Sequence, residues 1–267
     1  PDPRHEIQGS GGIADYWYLD DGDVLIDTRL VPVYLAAFDR FNPEAGSTRN
    51  RPKTEVVYYM SEDVLREHEA ELRLAEVRDL ATIRTAHDPG LTLGVAIGPR
   101  DAIEAQLRNK AEVLPAMQER AAIVQDVQTE HVLNRESLGV GRVNHILRVH
   151  GHDALRPGGA LAAFDARTRV ELDRLFHGLT EESHSQASLG PSVGGLGWRR
   201  ASEIARSANH GALIMAEPKV KSMAASAAHA GLLPAGQLEE RLAAKIRRVE
   251  EAYLGSLDET ERRQALE

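Results

Sequence analysis

No cysteine occurs among the 267 residues, which excludes disulfides and thiolate metal sites and fits a reducing, intracellular compartment. No apolar run approaches the ~20 residues that a membrane-spanning helix needs, so no membrane partner is expected. The segment from Pro1 to Ser10 is polar and lacks the apolar centre of a secretory signal. No initiator methionine opens the chain, so a piece of a longer polypeptide is expected. Lysine is missing from residues 135–210, where all ten Lys-or-Arg positions are arginine.

What remains is ordinary for a globular protein: 42% hydrophobic and 27% charged residues. The length allows about one or two domains. A net charge of −9 argues against a protein that coats nucleic acid indiscriminately. That charge is uneven. Residues 1–134 carry a net −10, while residues 135–210 carry a net +2. An acidic first half followed by an arginine-rich middle suits a metal site followed by a region that touches phosphates. Ordinary scatter of surface charge is the alternative.

The hydrophobic pattern gives an α+β chain, with an α/β part over residues 1–99 and a helical part over residues 100–267. Ile13 to Leu19 reads as a strand, with Tyr16, Trp17 and Tyr18 in succession. Asp20-Asp21-Gly22-Asp23 reads as a turn and Val24 to Ile26 as a second strand, so both Asp20 and Asp21 are expected at a hairpin tip. A helix over roughly Leu30–Phe41 follows, with Pro32 in its first turn. After a polar loop, Val56 to Tyr59 form another strand. Ser61 to Arg78 reads as a helix, and Val77 to Ile83 and Leu91 to Ile97 as the strands of a further hairpin about Asp88-Pro89-Gly90.

Helical spacing takes over from Asp101, which with Glu104 makes a capping-box pattern. Ile103, Leu107, Leu114, Met117 and Val124 share one face, expected to pack on the helix bearing Val143 and Leu147; Pro115 should kink or split their helix. Shorter helices are expected over Glu130–Ser137, Val140–Val149 and Phe164–Leu175, with a loop over Gly190–Gly197. Ala201–Ala228 reads as a helix interrupted near Pro218, and Gln237–Leu254 as a final amphipathic one. His145, His150 and His152 contain a His-X-His spacing but no evident further zinc ligand. The glycine-rich segment about Gly194 lacks the Lys-Ser/Thr of a phosphate-binding P-loop.

Adjacent carboxylates behind an aromatic strand suit a hard cation such as Mg²⁺. Tyr18-Leu19-Asp20-Asp21 resembles the Tyr-X-Asp-Asp box of reverse transcriptases, especially those of non-LTR retroelements. Asn50, Lys53, Thr54 and Glu55 resemble the family's Asn-X-X-Lys segment, and Leu93-Gly94-Val95-Ala96-Ile97-Gly98 its primer-grip hairpin. Arg142-Val143-Asn144-His145-Ile146-Leu147-Arg148 is similar to a thumb segment, and Gly194-Gly195-Leu196-Gly197, followed by Trp198 and Arg199, to the Gly-Gly-Leu-Gly segment beyond it. The five occur in the family's order.

The resemblance implies a partial polymerase palm followed by a thumb, acting in RNA-directed DNA synthesis on an RNA template, a DNA primer and dNTPs. It implies that Asp20 and Asp21 hold Mg²⁺ and that Lys53 acts as general acid toward pyrophosphate. It also implies that Leu93 and Gly94 hold the primer, and that Arg142 and Arg148, about two turns apart on one helical face, meet duplex phosphates. Family members need a third aspartate from well upstream, together with a fingers domain. Here a short polar segment precedes Asp15, which shares a strand with Asp20. An upstream polymerase half or a protein partner would be needed, and the chain alone is expected to be inactive. The alternative is a retroelement-derived binding or structural subunit without catalysis.

Overall fold

The structure, a computed structural model, describes residues 13–18, 21–85, 90–229 and 236–259. Its class is α+β, with most of the described residues in helices and three separate two-stranded pairs. The chain divides into two compact units, Pro1–Ala102 with Lys219–Glu240, and Ile103–Pro218 with Arg241–Glu267.

In the first unit, β1 (Ile13–Tyr18) and β2 (Asp21–Ile26) pair antiparallel, with Ile13 opposite Ile26 and Tyr18 opposite Asp21. Asp21, Gly22 and Asp23 are therefore already strand, not the turn expected over Asp20–Asp23. Antiparallel strands can be joined by two residues, and the joining residues Leu19 and Asp20 lie outside the described residues. Asp27 accepts from the Arg29 N–H at 2.9 Å, capping a 3₁₀ turn that leads into α1 (Val31–Phe41). Pro32 sits in the first turn of α1, where a missing N–H costs nothing. One face of α1 buries Val31, Tyr34, Leu35 and Phe38, and Val24 and Ile26 of β2 pack against the same cluster. This packing anchors the hairpin.

The next segment corrects the expected pairing. β3 (Glu55–Tyr58) is followed by α2 (Glu62–Glu67), α3 (Leu74–Leu80) and β4 (Thr82–Thr85), and β4 runs parallel to β3 with Glu55 opposite Thr82. Residues 77–80 are thus helix, because Leu74 and Val77 are three apart and both fully buried, a helical stripe. The single helix expected over Ser61–Arg78 breaks between α2 and α3, where Arg73 takes a left-handed φ of 51°. Leu91 pairs with Ala96, not with the Val77–Ile83 segment, in the small hairpin of β5 (Leu91–Thr92) and β6 (Val95–Ala96). Leu93 and Gly94 form its bend, with φ of 48° and 79°. Positive φ at both central residues matches the right-handed twist of paired strands, and leucine bears a steric cost there.

In the second unit Pro115 does divide the first helix, into α4 (Arg100–Glu112) and α5 (Leu114–Ala122). Ile103, Leu107, Leu114, Val143 and Leu147 are buried, as expected from their spacing. Val124 is not; it is 49% exposed. α5 stops before it, and Gln125 turns the chain with a φ of 55°. α6 (Val127–Leu133) then passes into a π-turn over Asn134–Leu138, a 3₁₀ turn over Val140–Arg142, and α7 (Asn144–Ala154). α8 (Ala160–Leu175), α9 (Glu181–Ser188), α10 (Ala201–His229) and α11 (Gln237–Leu254) follow. α10 runs unbroken through Pro218, where an interruption was expected.

Carboxylates clasp helix starts across this unit. Asp101 and Glu104 do not form a capping box, since α4 already begins at Arg100. The Glu104 side chain instead accepts from the backbone N–H of Ala160 at the start of α8. Asp165 of α8 accepts from the N–H groups of Ala201 and Ser202, at 2.7 and 3.0 Å, at the start of α10. Each satisfies donors that a helix cannot satisfy within itself and places negative charge at the positive end of its dipole. Among the described residues no helix is long and apolar enough to cross a membrane.

Candidate nucleic-acid interface

Asp21 opens β2, and its side chain, like all of Asp20, lies outside the described residues. Lys53 ends a 3₁₀ turn over Arg51–Lys53; it is exposed and makes no ion pair among the described residues. Its segment is held by a buried pair that the sequence did not advertise. The guanidinium of Arg49, 7% exposed, donates to both carboxylate oxygens of Asp39 at 2.8 and 2.7 Å and to the carbonyl of Leu80 at 2.5 Å. Arg51 reaches the same carboxylate at 2.8 Å. The Arg49 hydrogen bonds come first among the causes holding the Asp39 carboxyl below its ordinary range. Leu93 and Gly94 sit at the bend of the β5–β6 hairpin.

Among the described residues no group of three or more His, Asp or Glu could hold a metal ion.

The second unit brings together what the sequence held apart. A cleft of about 400 Å³ is lined by the π-turn, the Val140–Arg142 turn and the segment around Trp198. Asn134 is among the lining residues and is only 1% exposed. Its amide nitrogen donates to the Glu130 carbonyl at 3.0 Å and to the Glu171 carboxylate at 3.3 Å. Both partners are acceptors there, which fixes the amide orientation. The Asn134 Oδ1 is buried without a partner. Arg174 neutralises this acidic pair by binding both Glu130 and Glu171, which holds its guanidinium protonated even more firmly than usual.

Two glycines let the wall fold back on the π-turn. A Cβ at Gly141 would lie 2.2 Å from the Glu136 carbonyl oxygen, and one at Gly139 would lie 2.9 Å from that of Asn134. On the opposite wall, the N–H groups of Leu196 and Trp198 both donate to the Ala187 carbonyl at 3.1 Å. The Trp198 indole N–H donates to His131 Nδ1 at 2.8 Å, and the two rings stack with centroids 5.9 Å apart. Arg135 and Arg199 also line the cleft. Arg135 pairs with Glu136 at 2.7 Å, whereas Arg199 is exposed and has no ion pair among the described residues.

Arg142 and Arg148 do not share one helical face as expected. Arg142 ends the 3₁₀ turn, half-buried, with its Nε enclosed and unpartnered; Arg148 is exposed on α7. The intervening turn has a different rise and rotation per residue from an α-helix. Asn134, Arg135, Gly139 and Gly141 were not singled out from sequence. The available hint was a pair of glycines two apart, directly before Arg142 in the arginine-rich stretch.

His131 must be neutral to accept the indole hydrogen bond, and burial, aided by the charge of Arg135, holds its pKa below the ordinary value. A depressed folded pKa means that the unfolded chain binds the proton first. The stability this contributes is whole above the unfolded value, near 6.5, and is lost as pH falls through the folded one. The expected outcome is a melting temperature that falls more steeply between pH 7.5 and 5 in the parent protein than in a His131→Gln variant. Parallel curves would remove His131 as the titrating group.

No protein-family model, curated protein or solved structure matches this chain significantly.

Proposed function

We propose that this chain is the palm-and-thumb part of a retroelement reverse transcriptase, an RNA-directed DNA polymerase and hence a nucleotidyltransferase. The observation that carries this is the convergence in the second unit. The two segments that resemble parts of a thumb, Arg142–Arg148 and Gly194–Arg199, both contribute residues to a single arginine-bearing cleft. The first unit supports it with the order hairpin, helix, strand and small hairpin, and with the bend at Leu93 and Gly94.

In this proposal Asp20 and Asp21 belong to a magnesium site completed by further carboxylates, and the ions would activate the attacking hydroxyl and stabilise leaving pyrophosphate. Lys53 offers an exposed ammonium toward the triphosphate. Leu93 and Gly94 hold the primer strand, while Arg142 and Arg148 contact phosphates of the template–primer duplex. The net charge of −9 favours the alternative, a non-catalytic binding subunit of the same origin.

The 267-residue polypeptide by itself is expected to give no measurable Mg²⁺-dependent primer extension on an RNA template, and to match an Asp20→Ala variant. Extension that disappears in the variant would show that the chain completes its own metal site. Duplex binding, followed by fluorescence anisotropy, is expected to be weak and to fall steeply with salt. Arg148→Ala should lower the slope of log affinity against log salt by about one. Absence of any salt-dependent duplex binding would sink the polymerase and the binding-subunit proposals together.

A further inference from the structure

We propose that His131 and Trp198 form a pH-operated latch on the wall of the cleft, in which a proton on His131 releases the indole and opens the wall beside Arg199. The inference concerns the cleft alone and does not rest on the polymerase proposal.

The latch has a single bolt. The Trp198 indole N–H donates to His131 Nδ1 at 2.8 Å. An indole nitrogen is a donor only, so Nδ1 must offer its lone pair and the ring proton must sit on Nε2. A second proton therefore enters at Nδ1, the nitrogen that is accepting. Two N–H groups then face each other at hydrogen-bond distance, and attraction turns into repulsion.

The surroundings give that proton no compensation. Among the described residues no carboxylate bonds to either ring nitrogen of His131. On α6 itself Glu130 is committed to Arg174, and on the π-turn Arg135 is held by Glu136 while its charge still acts against a proton on the imidazole. On α5, which also packs against α6, Glu119 and Arg120 are both exposed. Phe176, just past α8, meets the ring edge to face with centroids 6.0 Å apart, and its neighbour His177 is exposed. Trp198 is flanked by Arg199, which has no ion pair among the described residues, and by Arg200, which is paired with Glu203 at 3.4 Å. The groups around the imidazole are thus cations, apolar rings, or carboxylates that are engaged or exposed. Burial and Arg135 favour the neutral ring, so the latch is shut at neutral pH and opens as pH falls.

What moves is a side chain. The main chain of this segment is tied down independently of His131, through the Leu196 and Trp198 N–H groups to the Ala187 carbonyl and the Gly197 N–H to the Leu189 carbonyl at 2.8 Å. The indole N–H has no second acceptor among the described residues. Once His131 is charged, the part of the wall that the indole forms can swing while the backbone stays in place.

In a Trp17→Phe variant Trp198 is the sole tryptophan. Its quenching by acrylamide, a small neutral probe, is measured from about pH 8 to pH 5, with far-UV circular dichroism recorded on the same samples. Quenching is expected to rise in one step centred below pH 6.5, the ordinary histidine value, while the dichroism holds. Loss of the hydrogen bond should shift the balance between shut and open indole by about tenfold. His131→Gln removes the titrating group but keeps an acceptor, and should abolish the step; His177→Gln, at an exposed position, should retain it. The parent chain offers a measurement without any substitution at the latch: the indole N–H resonance of Trp198 should move together with the ring-proton resonances of His131.

No step at all, or a step that persists in His131→Gln, overturns the proposal. So does an indole resonance that stays fixed while His131 titrates, or a rise in quenching that coincides with loss of dichroism. Emission that dims with unchanged acrylamide access overturns it too, since the imidazolium would then lie against an indole that has not moved.

Discussion

Replacing Leu114 with alanine is expected to lower the stability of the protein by about 2–5 kcal/mol, the usual cost of emptying a buried leucine site. Leu114 has no exposed surface and begins α5, the helix that Pro115 starts afresh. α5 lies against α6, α8 and the π-turn, so its neighbours belong to several other elements. Pro115 and Pro-directed backbone geometry limit how far the start of α5 can move inward to close the space. Urea unfolding followed by circular dichroism measures the loss. Val124→Ala provides the contrast, because Val124 stands largely in solvent, and a change within about 0.5 kcal/mol is expected there. Equal effects at the two positions would mean that the inner face of this unit is wrongly drawn.

Gly151→Ala is expected to destabilise as well, against the ordinary preference of helices. Alanine in a helix interior is normally better than glycine by about 1 kcal/mol. At Gly151 the added Cβ would lie 1.9 Å from the carbonyl oxygen of Ala205 and 3.1 Å from the Cβ of Asn209, both on α10. The oxygen is backbone and cannot rotate away, so α7 and α10 would have to separate. That separation also strains the bonds from the Asn209 side chain to the carbonyls of Arg148 and Val149, at 2.9 and 3.1 Å. Overpacking of this kind costs about 1–3 kcal/mol, sometimes more, which exceeds the gain in helix propensity. Gly211 on α10 has nothing within 4 Å of its notional Cβ. Gly211→Ala is therefore expected to stabilise by up to about 1 kcal/mol. A stabilising Gly151→Ala would show that α7 and α10 are not in contact at this point.

Much of this architecture was legible because it depends on neighbours in sequence. The spacing of Leu30, Tyr34 and Phe41 marked α1, Gln237–Leu254 marked α11 at both ends, and Pro115 marked a real break. Three of the departures share a cause: a partner distant in the chain decides the outcome. The local pattern puts Val77–Ile83 in the next hairpin, yet β4 pairs parallel with β3 across an intervening pair of helices. Glu104 fitted a local capping box but serves the start of α8, fifty-six residues away. Gly151 faces a second helix at close approach, and nothing beside it in sequence marks that contact. The cleft was half legible. Trp198 and Arg199 stood in a segment already of interest, whereas Asn134 became notable only once its oxygen was seen to lack a partner.

The carboxylate clasps tie the helices of this unit to one another at their first turns. Left to itself, a helix frays from its first turn, where four N–H groups have nothing to bind. In the folded protein Glu104 of α4 closes the first turn of α8, and Asp165 of α8 closes that of α10. Each of these helices thus carries the latch for the next. Replacing either carboxylate with alanine would release one latch and loosen the following helix at its first turn, at a cost of about 0.5–2 kcal/mol.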